Sequence, residues 1–221
     1  MSDPHVLPTR LPPSVLERFA ESDLPTTRGT FRLVVFREKK TGREHVAMVR
    51  GKVAGVESVP VRIHSECLTS EVFGSLRCDC RAQLDLALDT IAQRGTGVLL
   101  YLRQEGRGIG LGNKIKAYAL QLEEGLDTVE ANNRLGFPDD LRRYDVAAEM
   151  LRSLGVLSVD LMTNNPLKIA GLVDQGMAVR RRIPSRTQSN PLNVDYLRTK
   201  RDRSGHLIEF LAEESSETKA G

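Results

Sequence analysis

Two periodicities divide the chain. Apolar residues recur at β-rich spacing in TFRLVVF (30–36), HVAMVRG (45–51) and VPVRIH (59–64), and the polar EKKTGRE between the first two predicts a hairpin. From residue 81 the period lengthens. RAQLDLALDTIAQRG (81–95) sets Leu84, Ala87, Leu88 and Ile91 on one helical face and stops at Gly95. The strand GVLLYL (97–102) follows, then a glycine-rich turn and a helix over 111–125 with Ile115, Ala119 and Leu122 on one face. Residues 127–142 show no regular period and read as a loop. A helix over 143–155, a strand over 157–162, a proline-started helix over 166–176 and a strand over 177–183 complete the pattern. Alternation of helix and buried strand from 81 to 183 predicts an α/β fold, a mixed sheet with helices packed on it. Its later strands would be parallel, with antiparallel strands added by the first 64 residues.

The ends differ from this core. Residues 1–28 hold five prolines and little periodicity beyond a short helical stretch at 14–20, and read as an irregular arm. Residues 212–221 are polar and read as a disordered tail, which leaves 29–211 as a single domain. No apolar run approaches a membrane span, and the amino terminus lacks the apolar core of a secretory signal. No membrane partner is expected.

With 221 residues, 40% of them hydrophobic, the chain can bury an ordinary core. A net charge of +3 and 5% aromatics argue against a dedicated nucleic-acid binder, although the stretch around 180–203 is basic. Arginines outnumber lysines 24 to 8, which suits two-pronged grips on phosphate or carboxylate as well as an ordinary solvated surface.

Cys67, Cys78 and Cys80 form C-x10-C-x-C between a strand and a helix. Three cysteines cannot all pair with one another, so reduced thiols in a cytoplasmic protein fit best. Thiolates suit Zn²⁺, and three protein ligands leave a fourth position for water, whose pKa such an ion brings down to about 7. Two other readings stay open: three buried small hydrophobes, or a closed site with His64 as fourth ligand.

Three segments could hold an anion. EGRGIGLGNK (105–114) alternates glycine between a strand and a helix, with Arg103, Arg107 and Lys114 around it. It is either a phosphate-approaching turn or a flexible connection. TNNPLK (163–168) leaves a strand end and starts a helix with Pro166, as an anion site or an ordinary Asn-capped helix. In 127–144, Asp140 and Arg142 form either a surface ion pair or a base beside an electrostatic clamp.

Taken as a set, RIHSEC (62–67), LRCDC (76–80), RQEGRGIG (103–110), NKIKAYAL (113–120), DTVEAN (127–132), LGFPDDLR (135–142), TNNPLK and the late NPLN…YLRTKRD…GHL resemble the GTP cyclohydrolase II family, over roughly 25–208. The resemblance is to the form without a fused dihydroxybutanone-phosphate synthase domain. It implies a zinc enzyme that converts GTP to formate, pyrophosphate and 2,5-diamino-6-(5-phosphoribosylamino)pyrimidin-4-one, at the entry to riboflavin synthesis.

The resemblance further implies zinc on Cys67, Cys78 and Cys80, and GTP held by Arg62, Ile63, His64, Ser65, Glu66, Gln83, Glu105, Gly106, Arg107, Thr128, Thr163 and Lys168. Tyr118, Asp140 and Arg142 would be the catalytic side chains. Asp140 would accept a proton. Arg142 matches a residue taken as a nucleophile in the family, yet a permanently protonated guanidinium is better suited to clamp phosphate. Mg²⁺ on the triphosphate and a homodimer are also implied.

Ser70, Arg81, Gly112, Arg143, Leu167 and the basic RRRIPSRTQ (180–188) depart from the usual family pattern. They leave room for a variant that stops at the formylated pyrimidine or serves a specialised pathway. Outside the family, the rival readings are a zinc-stapled nucleic-acid-binding module and a catalytically silent GTP binder.

Overall fold

The computed structural model describes residues 14–208. Seven strands form one mixed sheet: β1 (Leu16–Thr26), β2 (Gly29–Glu38), β3 (Glu44–Arg50), β4 (Val59–Ser65), β5 (Gly97–Leu102), β6 (Ser158–Met162) and β7 (Ala178–Ile183), in the order β1-β2-β3-β5-β4-β6-β7. The pairs β1–β2, β2–β3 and β3–β5 are antiparallel, and β5–β4, β4–β6 and β6–β7 are parallel. Around the sheet lie α1 (Leu68–Glu71), α2 (Cys80–Arg94), α3 (Leu111–Glu123), α4 (Thr128–Arg134), α5 (Asp145–Ser153), α6 (Pro166–Val173) and α7 (Val194–Ser204). The α/β mixed-sheet expectation holds.

Alternation along the central strands gives each sheet face its own core. Val98, Leu100 and Leu102 of β5, with Val59, Val61 and Ile63 of β4, pack with Val146, Met150 and Leu151 of α5 and Leu172 of α6. On the other face Leu99 packs with Phe31, Met162 and the Ala87 and Ile91 stripe of α2. Each fully buried large aliphatic side chain there contributes about 1.5–3 kcal/mol. Close approach of α2 to the sheet depends on Gly97. Its φ is +147°, and a Cβ there would sit 2.8 Å from the Pro60 carbonyl and 2.9 Å from Ile91 Cγ1.

Three expectations are corrected. Residues 16–26 are a strand, not part of an irregular arm, and the short helix at 14–20 does not form. Ten backbone pairings to β2 outweigh the weak apolar pattern of β1, and Pro25 is tolerated because the strand is an edge. The folded unit therefore begins before residue 29, while residues 1–13 and the tail at 212–221 lie outside the described residues. Strand β4, although within the amino-terminal third, belongs to the parallel half, because its register is set by β5 and β6. The segment 127–142 contains α4, closed at its start by a capping box between Asp127 and Glu130.

The connections position the site. From β4 the chain passes through α2 on one face to β5. From β5 it crosses by α5 on the other face to β6, on the far side of β4. Loops leaving β4 and β6 therefore diverge to opposite faces, and a crevice opens at the carboxyl ends of these strands.

Candidate active site

The end of β4 delivers Ser65, Glu66 and Cys67, and Cys67 caps the single turn of α1. Cys78 precedes α2 and Cys80 is its first residue. Ser70 and Arg81 tie the two pieces together. Ser70 Oγ accepts from the Arg81 backbone N–H at 3.2 Å, and the Arg81 guanidinium donates to the Glu71 carbonyl at 2.9 Å and to Asp85 at 2.7 Å.

The three sulfurs lie within 4.8 Å of one another, with Cys67 Sγ and Cys78 Sγ 3.7 Å apart and all three thiols free. Two sulfurs at about 2.3 Å from one tetrahedral ion would be about 3.8 Å apart, so the set fits zinc. Hydrogen bonds from Cys78 and Cys80 and the nearby Lys114 ammonium hold the Cys67 thiol far below its usual range. The same bonding to Cys67, with burial, pushes Cys78 and Cys80 up. One sulfur of the three, that of Cys67, is thus held as thiolate, and a bound cation would favour ionisation of the other two. Among the described residues His64 does not join it: Nε2 of His64 is bound to Glu71 Oε1 at 2.6 Å.

The turn after β5 holds the other wall. Glu105–Gly108 form a 3-10 turn in which Gly106 and Arg107 both adopt left-handed backbone (φ 61° and 58°). For Arg107 that conformation costs about 1–3 kcal/mol and is retained by surrounding contacts. Its carbonyl accepts from the Leu141 N–H at 2.9 Å and its guanidinium pairs with Asp139. Lys114 of α3 donates to Glu105 Oε1 at 2.8 Å, Thr69 Oγ1 at 2.9 Å and Cys67 Sγ at 3.1 Å. Arg103 donates to Glu66 at 2.8 Å. Lys114 therefore acts as an internal brace, whereas Arg103 pairs with Glu66 through Nε and keeps an exposed guanidinium. One turn beyond Lys114, Tyr118 faces the same cleft as the cysteines, with the Arg77 guanidinium 4.7 Å from its ring. Burial raises its phenol pKa.

A second lobe lies over the ends of β4 and β6. Arg62 donates to the Met162 carbonyl at 3.1 Å and to Ser185 Oγ at 3.2 Å, and also reaches Gln83. Lys168 donates to the Ile63 carbonyl at 2.7 Å. Burial, then the charges of Arg62 and Arg142, push the Lys168 pKa well down. Thr163 Oγ1 accepts from Asn165 N–H at 2.9 Å, and Asn165 caps α6. The capped-helix reading and the anion reading of TNNPLK thus coexist. Asp140 and Arg142 form a two-pronged pair, with Arg142 Nε 2.8 Å from Asp140 Oδ1. Burial alone would raise Asp140, but hydrogen bonds and charge from Arg142 outweigh it and leave the carboxyl low. Burial opposes the Arg142 charge in turn, and Asp140 more than restores it.

The cysteine cleft and the cation-lined lobe share Ser65, Cys80, Arg142 and Tyr196, so the two adjoin. The GTP cyclohydrolase II family model matches residues 17–184. The chain belongs to the GTP cyclohydrolase II family. It is 54% identical over 198 residues to the riboflavin biosynthesis protein RibBA of Bacillus subtilis, covering 89% of this chain and 50% of that protein. With RibBA of Aquifex aeolicus the identity is 52%, over 88% of this chain and 48% of the relative. The chain thus spans about half the length of the curated relatives it matches, and these relatives do not represent the stand-alone form expected from the sequence. A solved two-domain 3,4-dihydroxy-2-butanone 4-phosphate synthase from A. baumannii aligns at 20% identity over 77% of this chain and 40% of that one, with a TM-score of 0.46, too weak a likeness to inform the site.

Most residues that the family resemblance singles out converge on the two lobes. Glu66, Glu105, Gly106, Arg107 and Thr128 line the cysteine cleft. Arg62, His64, Gln83, Thr163 and Lys168 line the cation lobe. Two do not reach either surface. The Ile63 side chain is packed in the core on the opposite sheet face, leaving only its carbonyl, which Lys168 occupies. Asp140 stands behind Arg142 and lines neither lobe.

Residues of α7 were not anticipated as site residues. Tyr196 lines both lobes, and Lys200, 2.8 Å from Asp79 between the two later cysteines, lines the cation lobe together with His206. The signal was the four-residue spacing of Tyr196 and Lys200 in YLRTKRD, which places both on one helical face.

Proposed function

We propose that this chain is a zinc-dependent GTP cyclohydrolase II, which opens the imidazole ring of GTP, releases C8 as formate, releases pyrophosphate and yields 2,5-diamino-6-(5-phosphoribosylamino)pyrimidin-4-one for riboflavin synthesis. The observation that carries this reading is a pair of adjoining pockets with two chemistries. Three clustered thiols stand in one and buried cations in the other, and the two share Cys80 and Arg142.

Cys67, Cys78 and Cys80 would hold the zinc, which when bound supplies Lewis acidity and makes water reactive at neutral pH. Tyr118, kept protonated by burial, donates a hydrogen bond to the oxygen that develops charge at C8 and orients the formyl group for its release. Arg62, Lys168 and Thr163, with Lys200, bind the triphosphate in the cation lobe, where Mg²⁺ is expected to accompany it. Arg142 clamps phosphate and is no nucleophile, because Asp140 strengthens its hold on the proton. Asp140 aims that clamp, and the proton-acceptor role implied by the family requires substrate to draw the Arg142 fork away first. Glu66, Gln83, Glu105, Arg107 and Thr128 are left to position the nucleoside. Free thiols suit the cytoplasm, and exposed Val72, Phe73 and Leu76 beside α1 suit a homodimer contact.

The test is incubation of zinc-loaded protein with GTP and Mg²⁺, followed by quantification of formate, pyrophosphate and pyrimidine. Equal yields of all three, abolished by a chelator, are expected. A product that keeps C8 identifies the formyl-retaining variant, and nucleotide recovered unchanged refutes the reading.

A further inference from the structure

One buried unit beside the cation lobe has no part in the scheme above. His64 of β4 is 2% exposed. Its Nε2 meets Glu71 Oε1 at 2.6 Å, and Tyr101 of β5 donates its hydroxyl to Glu71 Oε2 at 2.6 Å. The His64 and Tyr101 rings stack with centroids 5.7 Å apart. Glu71 is also buried, its side chain 7% exposed. A carboxylate that accepts from both neighbours dictates where the imidazole proton sits: Nε2 carries it, and Nδ1 keeps a lone pair. Burial holds His64 neutral and Tyr101 protonated, which agrees with that assignment. Nδ1 is buried and has no hydrogen-bond partner.

The surroundings decide what Nδ1 can take. The lobe that His64 lines is walled by donors, Arg62, Arg142, Lys168 and Lys200 among them. Phosphate oxygens belong with those donors, and an acceptor lone pair would repel them. What Nδ1 accepts must be a hydroxyl or N–H. In a nucleotide the ribose links base to phosphates, and His64 is adjacent to Ser65, one of the residues shared by the two lobes.

We propose that His64 is a specificity-determining residue that reads a ribose hydroxyl of the bound nucleotide by accepting its hydrogen bond at Nδ1, with Glu71 and Tyr101 as positioning residues that lock the required tautomer. This rests on the GTP reading of the site and adds to it a preference for ribonucleotides over one of their deoxy forms. A site built to hydrogen-bond a substrate hydroxyl rejects the analogue lacking it, because the buried partner is left unpaired.

The test compares GTP, 2′-deoxy-GTP and 3′-deoxy-GTP on zinc-loaded protein, with Kd read in the binding phase of rapid-mixing experiments before turnover. One deoxy form is expected to bind about tenfold more weakly than GTP. His64→Gln keeps a donor for Glu71 but has no atom in the place of Nδ1. It should weaken GTP by about the same factor and leave the discriminated deoxy form unchanged. Glu71→Leu and the milder Tyr101→Phe should erode the discrimination, and ¹⁵N spectra of the imidazole should show Nε2–H in the wild type and a mixed tautomer in Glu71→Leu.

Equal binding of all three nucleotides overturns the proposal. So does His64→Gln weakening all three alike, or a wild-type spectrum with the proton on Nδ1. Formate assayed on the same wild-type preparation reads the enzymatic reading separately: discrimination without formate refutes the activity alone, and formate without discrimination refutes the role of His64 alone.

Discussion

Lys200→Met should destabilise the protein by about 3 kcal/mol and loosen the carboxyl-terminal helix from the cysteine loop. Lys200 and Asp79 form an ion pair at 2.8 Å, with side chains only 10% and 3% exposed. Removing one partner of such a pair leaves an uncompensated buried charge and costs about 3–5 kcal/mol. The lower end applies, because Asp79 keeps Gln83 and Thr187 as donors, the latter at 3.2 Å. At this chain length about 3 kcal/mol corresponds to a Tm lowered by about 6–12 °C.

In the wild type, burial pushes Asp79 up, but Lys200 and Gln83 together leave its carboxyl below the ordinary range. Without Lys200 burial prevails and the carboxyl rises, so protonation relieves the variant at low pH. Its deficit should therefore be smaller at pH 5 than at pH 8. Urea melts of the zinc-saturated wild type, Lys200→Met, Asp79→Asn and the double variant would measure this. The double variant should recover about 2 kcal/mol of the sum of the singles. A Lys200→Met loss below about 0.5 kcal/mol, or strictly additive singles, would refute the buried-pair reasoning.

Two further outcomes follow from the same geometry. Arg142→Lys replaces a two-pronged fork with a point charge, and should lower kcat/KM for GTP by about 100-fold; intact-mass spectra during turnover should show no nucleotide adduct, and an adduct on Arg142 would restore it as a nucleophile. Burial is the leading cause lowering the pKa of His45, His64 and His206, the last to about 3. The unfolded chain then binds protons that the fold refuses, so stability is complete above about pH 6.5 and falls as pH drops, by about 1.4 kcal/mol per unit for each such histidine. His206→Asn should remove about one proton from that slope in urea melts between pH 6 and 4.5, and an unchanged slope would contradict the assignment.

The parallel core was legible because its strands are short apolar runs separated by helices with clear apolar stripes, as at Ala87 and Ile91. The edge strand β1 was not, since its stability comes from backbone pairing and its side chains are mostly exposed. Helix α4 escaped because it is short and announced by a capping box, not by apolar period. At the site, sulfur spacing pointed correctly to one cluster. Spacing could not decide whether His64 joined it, because that depends on Glu71 lying across the strand end. Likewise the sequence groups Lys114 with the phosphate grips, whereas in the fold Glu105, Thr69 and Cys67 take its donors.

The strand β4 explains why so much chemistry gathers at one place. Every residue from Val59 to His64 is buried, yet the side chains differ by face: Val59, Val61 and Ile63 enter the hydrophobic core, whereas Arg62 and His64 point to the other side. A buried arginine and a buried histidine in a central strand are tolerated only where donors and acceptors meet them. Here the Met162 carbonyl at the end of β6, the side chains of Ser185 and Gln83 and the carboxylate of Glu71 supply that partly, and Arg62 Nε and His64 Nδ1 remain without partners. These two orphan atoms lie at the crevice that the reversal of strand order opens between β4 and β6. The crossing that carries the chain past β4 within the parallel half therefore leaves polar groups whose hydrogen bonds a ligand can complete, and it sets them next to the sulfur cluster. Replacing that buried cation with a smaller apolar residue, as in Arg62→Leu, would abolish phosphate binding while leaving the Val59, Val61 and Ile63 face of the sheet intact.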